Sequence, residues 1–223
     1  MNKLFKVLSI LTLIFISVFT NLFDYDKDII KILTIIFTCI FCFFTGRTSY
    51  NDKKIRNKYI LIYLIWNMSY LTFTNSLKDI NNIINTLLLK EVYLDILPTL
   101  AISYIILSIT KNNKIYKYIS VILLGILFII FNNYIFLYSL VFIIGNITTF
   151  KLKNINNRLL NLIDYTNIGI YILHKILLYL LINLNIISFN SISDLIGSVV
   201  FIYVIGFIIS YYLKMWPLIR NII

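Results

Sequence analysis

The only histidine of this 223-residue chain, His174, lies in an apolar run from Asn167 to Leu181. Asn167, Tyr171 and His174 are spaced i, i+4 and i+7, so they share one face of a helix. An ionisable side chain at membrane depth is costly, and it usually marks a functional site. Because imidazole titrates near neutral pH, the stripe predicts that His174 acts as a general base or substrate ligand, oriented by Tyr171 and Asn167.

A structural role for His174 is an equal alternative. Polar side chains that hydrogen-bond a neighbouring helix also stabilise membrane bundles. The helix rises about 1.5 Å per residue, which puts His174 roughly 10 to 15 Å inward from the start of its span. Spacing alone leaves both roles open.

A second set of candidates lies in the basic segment RTSYNDKKIRNK, from Arg47 to Lys58. Guanidinium groups make paired hydrogen bonds with phosphate, so Arg47, Lys54 and Arg56 are predicted to bind the phosphates of an anionic cosubstrate. The alternative is that these charges only set membrane topology, since Lys and Arg concentrate in cytoplasmic loops. The two roles are compatible.

Composition indicates which elements carry these residues. The chain is 60% hydrophobic and 13% charged, with a mean hydropathy of +0.90. Apolar stretches long enough to cross about 30 Å of hydrocarbon recur along it. We therefore predict an all-α integral membrane protein with a single transmembrane domain over residues 1–223. The net charge of +11 fits a basic cytoplasmic rim, so the bilayer, and not nucleic acid, is the expected partner.

Polar residues divide the chain into eight predicted transmembrane spans. They are 4–23, 29–46, 59–75, 93–110, 117–131, 134–149, 166–186 and 194–213. Asn132 and Asn133 are predicted to form a tight hairpin. An amphipathic helix on the outer membrane interface is predicted near 79–90, where Ile80, Ile84 and Leu87 recur at helical spacing.

The distribution of positive charge predicts the orientation. With the N-terminus inside, 15 of the 20 Lys and Arg residues fall on the cytoplasmic side, as expected for short loops. They are Lys3, Lys6, Arg47, Lys53, Lys54, Arg56, Lys58, Lys111, Lys114, Lys117, Lys151, Lys153, Arg158, Lys214 and Arg220. This pattern predicts that both termini are cytoplasmic and that the chain is a multi-pass protein of the cytoplasmic membrane.

Cys39 and Cys42 lie within the second predicted span, without a second Cys or His cluster. A structural zinc site needs four ligands. We therefore expect two buried thiols and no metal.

Four strings resemble motifs of the acyltransferase-3 family of membrane proteins, and especially of its fucose O-acetylase-like branch. IGIYILHK, with Tyr171 and His174, resembles the late-helix signature SxxIYLLH, and CFFTGR resembles FFxSG. The basic segment followed by LIYLIW, with Tyr63 and Trp66, resembles KKxxRxxxPYxxW. YLDILPTL resembles WFLPAL. The strings occur in the family's order and span most of the chain.

The resemblance implies a membrane-bound O-acyltransferase. Such an enzyme moves an acyl group from cytoplasmic acyl-CoA, with acetyl-CoA expected here, to a hydroxyl of a cell-surface sugar or lipid-linked glycan. Arg47, Lys54 and Arg56 would bind the coenzyme A phosphates, with Ser17 and Trp66 also in the substrate site. His174 would be the base or the ligand of the acceptor hydroxyl.

The chain departs from that family at the first helix. Members typically have more membrane helices and carry there a basic residue followed by a catalytic histidine. Lys6 fits the basic position, but Ser17 occupies the histidine position. Three alternatives therefore stay open: a catalytically inactive relative, a non-enzymatic membrane subunit or transporter of envelope glycan biosynthesis, and a purely structural bundle.

Overall fold

The protein is helical throughout the residues that the computed structural model describes, which are 2–22, 27–49, 53–73, 95–111, 113–148, 157–184 and 192–216. In these ranges 94% of residues are helical and none forms a strand, so the all-α prediction is confirmed. The helices are α1 (Asn2–Leu22), α2 (Lys27–Thr48), α3 (Lys53–Phe73), α4 (Ile96–Thr110), α5 (Lys114–Phe131), α6 (Tyr134–Ile147), α7 (Arg158–Asn183) and α8 (Ile192–Met215).

Five helices of the described ranges are long and apolar enough to cross a membrane, namely α1, α2, α5, α7 and α8. The apolar helices α4 and α6 are shorter. Along α5 the side chains of Ile115, Ile122 and Ile129 are largely exposed. A large exposed apolar surface of this kind is typical of a face that contacts a membrane.

Asparagine side chains begin three of the helices. The side-chain oxygens of Asn113, Asn133 and Asn157 accept hydrogen bonds from the backbone N–H two residues later, at 2.9 to 3.0 Å. Such N-caps satisfy a backbone donor that has no partner inside the helix. Asn132 ends α5 in the left-handed conformation, with φ of 47°, so the predicted hairpin at Asn132 and Asn133 is present.

Two helices begin well before the predicted spans. The apolar pattern predicts spans from residues 59 and 166, whereas α3 begins at Lys53 and α7 begins at Arg158. Lys, Arg and Asn can continue a helix beyond its apolar part, and hydropathy does not detect that extension. The amphipathic helix predicted near 79–90 lies outside the described residues.

Backbone contacts divide the chain into two compact units. The first unit contains residues 1–41 and 151–221, and in it α7 packs against both α1 and α8. The second unit contains residues 42–150, and in it α4 packs against α3, α5 and α6. The continuous helix α2 contributes its first part to the first unit and its last residues to the second.

In the first unit, α1 and α7 run parallel in a fixed register. The Lys3 amine donates to Asn161 at 2.8 Å, and the Lys6 amine forms an ion pair with Asp164 at 2.9 Å. Both pairs are separated by 158 positions along the chain. The N-terminal ends of the two helices therefore lie at the same level.

The helix α8 runs antiparallel to α7. Its Ser210 hydroxyl donates to the carbonyl of Thr166 at 3.2 Å, and a Cβ on Gly206 would lie 3.5 Å from the Ile170 side chain. The C-terminal part of α8 therefore lies beside the N-terminal part of α7.

In the second unit, two glycines bring the backbones of α2 and α6 into contact. A Cβ placed on Gly46 would lie 2.0 Å from the Phe142 carbonyl oxygen, and one placed on Gly145 would lie 2.2 Å from that of Phe43. Small residues allow such close approach between membrane helices. No side chain larger than hydrogen fits at either position without moving a backbone.

We expect Gly145→Ala to destabilise the protein by about 1 to 3 kcal/mol, because the added methyl group overpacks the contact with Phe43. The measurement is thermal unfolding of the purified protein in detergent. Gly197→Ala is the matched control, since a Cβ there meets nothing within 4 Å. That control should gain up to about 1 kcal/mol from helix propensity. Equal or greater stability of Gly145→Ala than of the wild type would contradict the contact.

Candidate functional site

The three residues of the predicted stripe are all buried on α7, in the first unit. The exposed fractions are 1% for Asn167, 8% for Tyr171 and 2% for His174. Their common burial is what a shared helix face predicts. Polar groups buried in this way must find hydrogen-bond partners other than lipid, which offers none.

The imidazole of His174 is fixed by its own helix. Its Nδ1 contacts the backbone carbonyl of Tyr171, and the two rings lie 5.2 Å apart between centroids. A carbonyl oxygen can only accept, so Nδ1 carries the proton and donates. This leaves Nε2 as the nitrogen with the free lone pair in the neutral ring.

The Asn167 side chain is in a different situation. Neither its Oδ1 nor its Nδ2 has a hydrogen-bond partner among the described residues, although both atoms are buried. The neighbouring Thr166 hydroxyl, by contrast, donates to the carbonyls of Leu162 and Ile163 at 3.2 and 3.1 Å. An unmade buried hydrogen bond costs about 1 to 3 kcal/mol, so the amide of Asn167 needs a partner that the described residues do not supply.

The stripe continues to the ion pair between Lys6 and Asp164. Asp164, Asn167, Tyr171 and His174 follow one another at steps of three, four and three residues, which keep to one side of a helix. Side-chain exposure of the paired Lys6 and Asp164 is only 13% and 16%. Sequence analysis missed this pair, although the spacing of Asp164 from Asn167 contained the signal.

Ser17 lies half-buried on α1, in the same unit. The offset of 158 positions between α1 and α7 puts Ser17 at the level of Lys175, which follows His174 in the sequence. On the other side of α7, the antiparallel register puts Tyr203 of α8 near the level of Leu173. The buried hydroxyl of Tyr203 has no partner within the described part of the chain.

Lys214 lies at the end of the first unit that also contains the ion pair between Lys6 and Asp164. It is 7% exposed, donates to the Tyr165 carbonyl, and lies with its amine 4.2 Å from the centre of the Tyr165 ring. A buried lysine is tolerated where its charge meets a carbonyl dipole and an aromatic face. This contact therefore ties the last turn of α8 to α7.

The predicted phosphate ligands lie in the second unit. The Arg56 guanidinium donates to Ser108 of α4 at 2.9 Å and to the Asn57 side chain at 3.1 Å. Arg47 is half-buried at the end of α2, and Trp66 is half-buried on α3. The side chain of Lys54 lies outside the described residues.

Asn146 joins the helix ends near these residues. Its amide donates to the carbonyls of Gly46 and Ser49 at 3.0 and 2.8 Å, and its oxygen accepts from Lys117 at 2.8 Å. It therefore caps the last turn of α2 and holds a cation. Nothing in the sequence distinguishes Asn146 from the many other asparagines of the chain.

Tyr104 completes this end of the second unit. Its hydroxyl shares a hydrogen bond with Ser49 at 2.8 Å, and its ring stacks on Tyr59 with centroids 5.0 Å apart. Arg56 and Lys117 make their described hydrogen bonds with neutral groups only. No carboxylate of the described residues forms an ion pair with either side chain.

No group of three or more His, Cys, Asp or Glu residues that could hold a metal occurs among the described residues. Neither cysteine is part of a disulfide; Cys42 is buried, whereas Cys39, which was also expected to be buried, is only half-buried.

Comparisons with protein-family models, with curated proteins and with solved structures found no match for this chain. The likeness to the acyltransferase-3 family therefore depends on the four strings alone.

We expect Asp164→Asn to destabilise the protein by on the order of 3 kcal/mol, because it leaves the largely buried Lys6 without its counter-charge. Thermal unfolding in detergent measures the loss. The exchange Lys6→Asp with Asp164→Lys should recover part of it. Asp28→Asn, which removes an exposed carboxylate at the start of α2, is the control and should cost less than about 1 kcal/mol. Equal effects of the two neutralising changes would contradict the ion pair.

Proposed function

We propose that the protein is an integral, multi-pass protein of the cytoplasmic membrane that acts as an O-acyltransferase. It would transfer an acetyl or other acyl group from acyl-CoA to a hydroxyl of a cell-surface sugar or lipid-linked glycan. The observation that carries the proposal is the buried His174, whose Nδ1 donates to the Tyr171 carbonyl and whose Nε2 keeps its lone pair. A base in this tautomer can accept a proton at Nε2.

In the proposed reaction, the acceptor hydroxyl oxygen attacks the thioester carbonyl carbon of acyl-CoA. Nε2 of His174 takes the hydroxyl proton as the new carbon–oxygen bond forms. The carbon–sulfur bond then breaks, and the proton passes from His174 to the leaving thiolate of coenzyme A. No metal is needed for this sequence, and the imidazole returns to its neutral form.

The proposed orientation is supported by the helix ends that lie together in each unit. The start of α1 meets the start of α7, and Lys214 near the end of α8 contacts Tyr165. Arg56 near the start of α3 meets Ser108 near the end of α4, and Lys117 near the start of α5 meets Asn146 at the end of α6. Alternating spans with both termini cytoplasmic would bring these same ends to one side of the membrane.

A non-catalytic function is the second candidate. It is favoured by Ser17 in the position where the family carries its first-helix histidine, and by the hydrogen bond between Arg56 and Ser108, which is a packing role. In this case the chain is an inactive relative, or a subunit or transporter of envelope glycan biosynthesis. His174 would then serve only to hold its own helix.

His174→Ala should lower acetyl transfer by about 10²-fold or more if the imidazole is the general base. The assay uses labelled acetyl-CoA and glycan lipids with the protein reconstituted in vesicles. His174→Asn separates the two roles, because its amide can still donate to the Tyr171 carbonyl but cannot accept the proton. Full activity of His174→Asn would leave only the structural role. Tyr179→Phe, at an exposed position on the same helix, controls for losses of activity during purification and reconstitution.

Arg56→Gln should weaken binding of coenzyme A about 10-fold, because a charge-assisted hydrogen bond to phosphate is lost. Calorimetry at two salt concentrations measures the effect, and the wild-type affinity should fall as salt rises. Arg158→Gln removes the same charge from an exposed position at the start of α7 and is the matched control. Equal affinities of the two variants, or no binding by the folded wild type, would favour the non-catalytic alternative.

A further inference from the structure

Asn167 is the most deeply buried residue of the α7 stripe, which consists of Asp164, Asn167, Tyr171 and His174. Its oxygen and its nitrogen are each buried without a hydrogen-bond partner in the described ranges. The residue is 1% exposed. Buried amides in native proteins are nearly always hydrogen-bonded, so an open one points to a ligand or a bound water.

The hydroxyl groups at the level of Asn167 on α7 and α8, those of Thr166 and Ser210, already donate hydrogen bonds. Thr166 donates to backbone carbonyls of its own helix, and Ser210 donates to the Thr166 carbonyl. At the level of Asn167 on α1, the Ser9 hydroxyl donates to the Phe5 carbonyl at 2.7 Å. Asn167 therefore differs from the hydroxyl residues at its level, each of which donates a hydrogen bond to a backbone carbonyl.

The chemistry of the Asn167 carboxamide, which carries no charge, favours a neutral ligand. The Lys6 and Asp164 charges compensate each other one turn away, and the Lys214 amine donates to the Tyr165 carbonyl. The Lys214 and Lys3 amines contact neutral groups, so the choice of a neutral ligand depends on the carboxamide itself. The carboxamide offers one acceptor and donors together, which matches a group that both donates and accepts.

We infer that the Asn167 amide binds a neutral O–H group inside the first unit, donating to its oxygen through Nδ2 and accepting its hydrogen at Oδ1. The source of this group is either water or an alcohol. The alcohol source rests on the proposed function, in which it is a hydroxyl of the acceptor sugar other than the reacting one, because the reacting hydroxyl gives its proton to His174 about 10 Å further along α7. Asn167 is then a direct ligand of this second hydroxyl, while His174 is held separately by Tyr171.

The test exchanges Asn167 for threonine, which has nearly the same volume. Threonine on this helix satisfies itself, as Thr166 does with Leu162 and Ile163. Unfolding temperatures are measured for the wild type and the variant, alone and with glycerol or methyl α-D-glucopyranoside as alcohol probes. Asn161→Thr is the matched control, because the Asn161 side chain has a partner in Lys3 at 2.8 Å.

We expect Asn167→Thr to lower the unfolding temperature without any probe if water is bound, by about 2 °C or more. If the alcohol is the ligand, the probes should stabilise the wild type by at least that much more than Asn167→Thr. Asn161→Thr should lose stability without responding differently to the probes. An unchanged or higher unfolding temperature of Asn167→Thr, with equal probe shifts in both proteins, would overturn the inference.

Two further readouts keep the test decisive. Asn167→Ser, measured in parallel, also satisfies itself on the helix and replaces the threonine variant if that one does not fold. Failure of acetyl transfer together with a lower unfolding temperature of Asn167→Thr would reject the proposed function and retain the O–H site. Active acetyl transfer, together with no effect of Asn167→Thr on the unfolding temperature or on the probe shifts, would reject the O–H site and retain the proposed function.

Discussion

A polar side chain in an apolar helix has to find its hydrogen bonds inside the protein, and this constraint organises both units. Most hydroxyl groups meet it locally, by donating to a carbonyl of the preceding turn, as Thr34 and Thr110 do. Several longer side chains join helices instead. Asn146 and Lys6 are the clearest examples, and each one fixes the level of two helix ends.

The same constraint separates the residues of the α7 stripe by function. His174 satisfies one nitrogen on its own backbone, which fixes its tautomer and leaves the other nitrogen for chemistry. Asn167 has no such local solution, because its amide needs partners on both sides. A purely structural stripe would be expected to close both groups. The open amide is the feature that favours a site over simple packing.

The helical architecture was largely predictable, because long apolar runs have few alternatives in hydrocarbon. The common face of Asn167, Tyr171 and His174 also followed from spacing. The start of α7 did not, since Arg158, Asn161 and Asp164 interrupt the apolar residues of its first two turns. The contacts of Asn146 were unpredictable for another reason: the residue is one asparagine among many, and its role depends on Gly46 and Lys117, which are distant in sequence.

The glycine contact between α2 and α6 has an evolutionary consequence. At most helix crossings a larger residue on one helix can be offset by a smaller one on the other. Here each glycine faces a main-chain oxygen, that of Phe142 or Phe43, and no substitution removes a main-chain atom. Positions 46 and 145 should therefore stay glycine, even in relatives whose surrounding apolar residues have all been replaced.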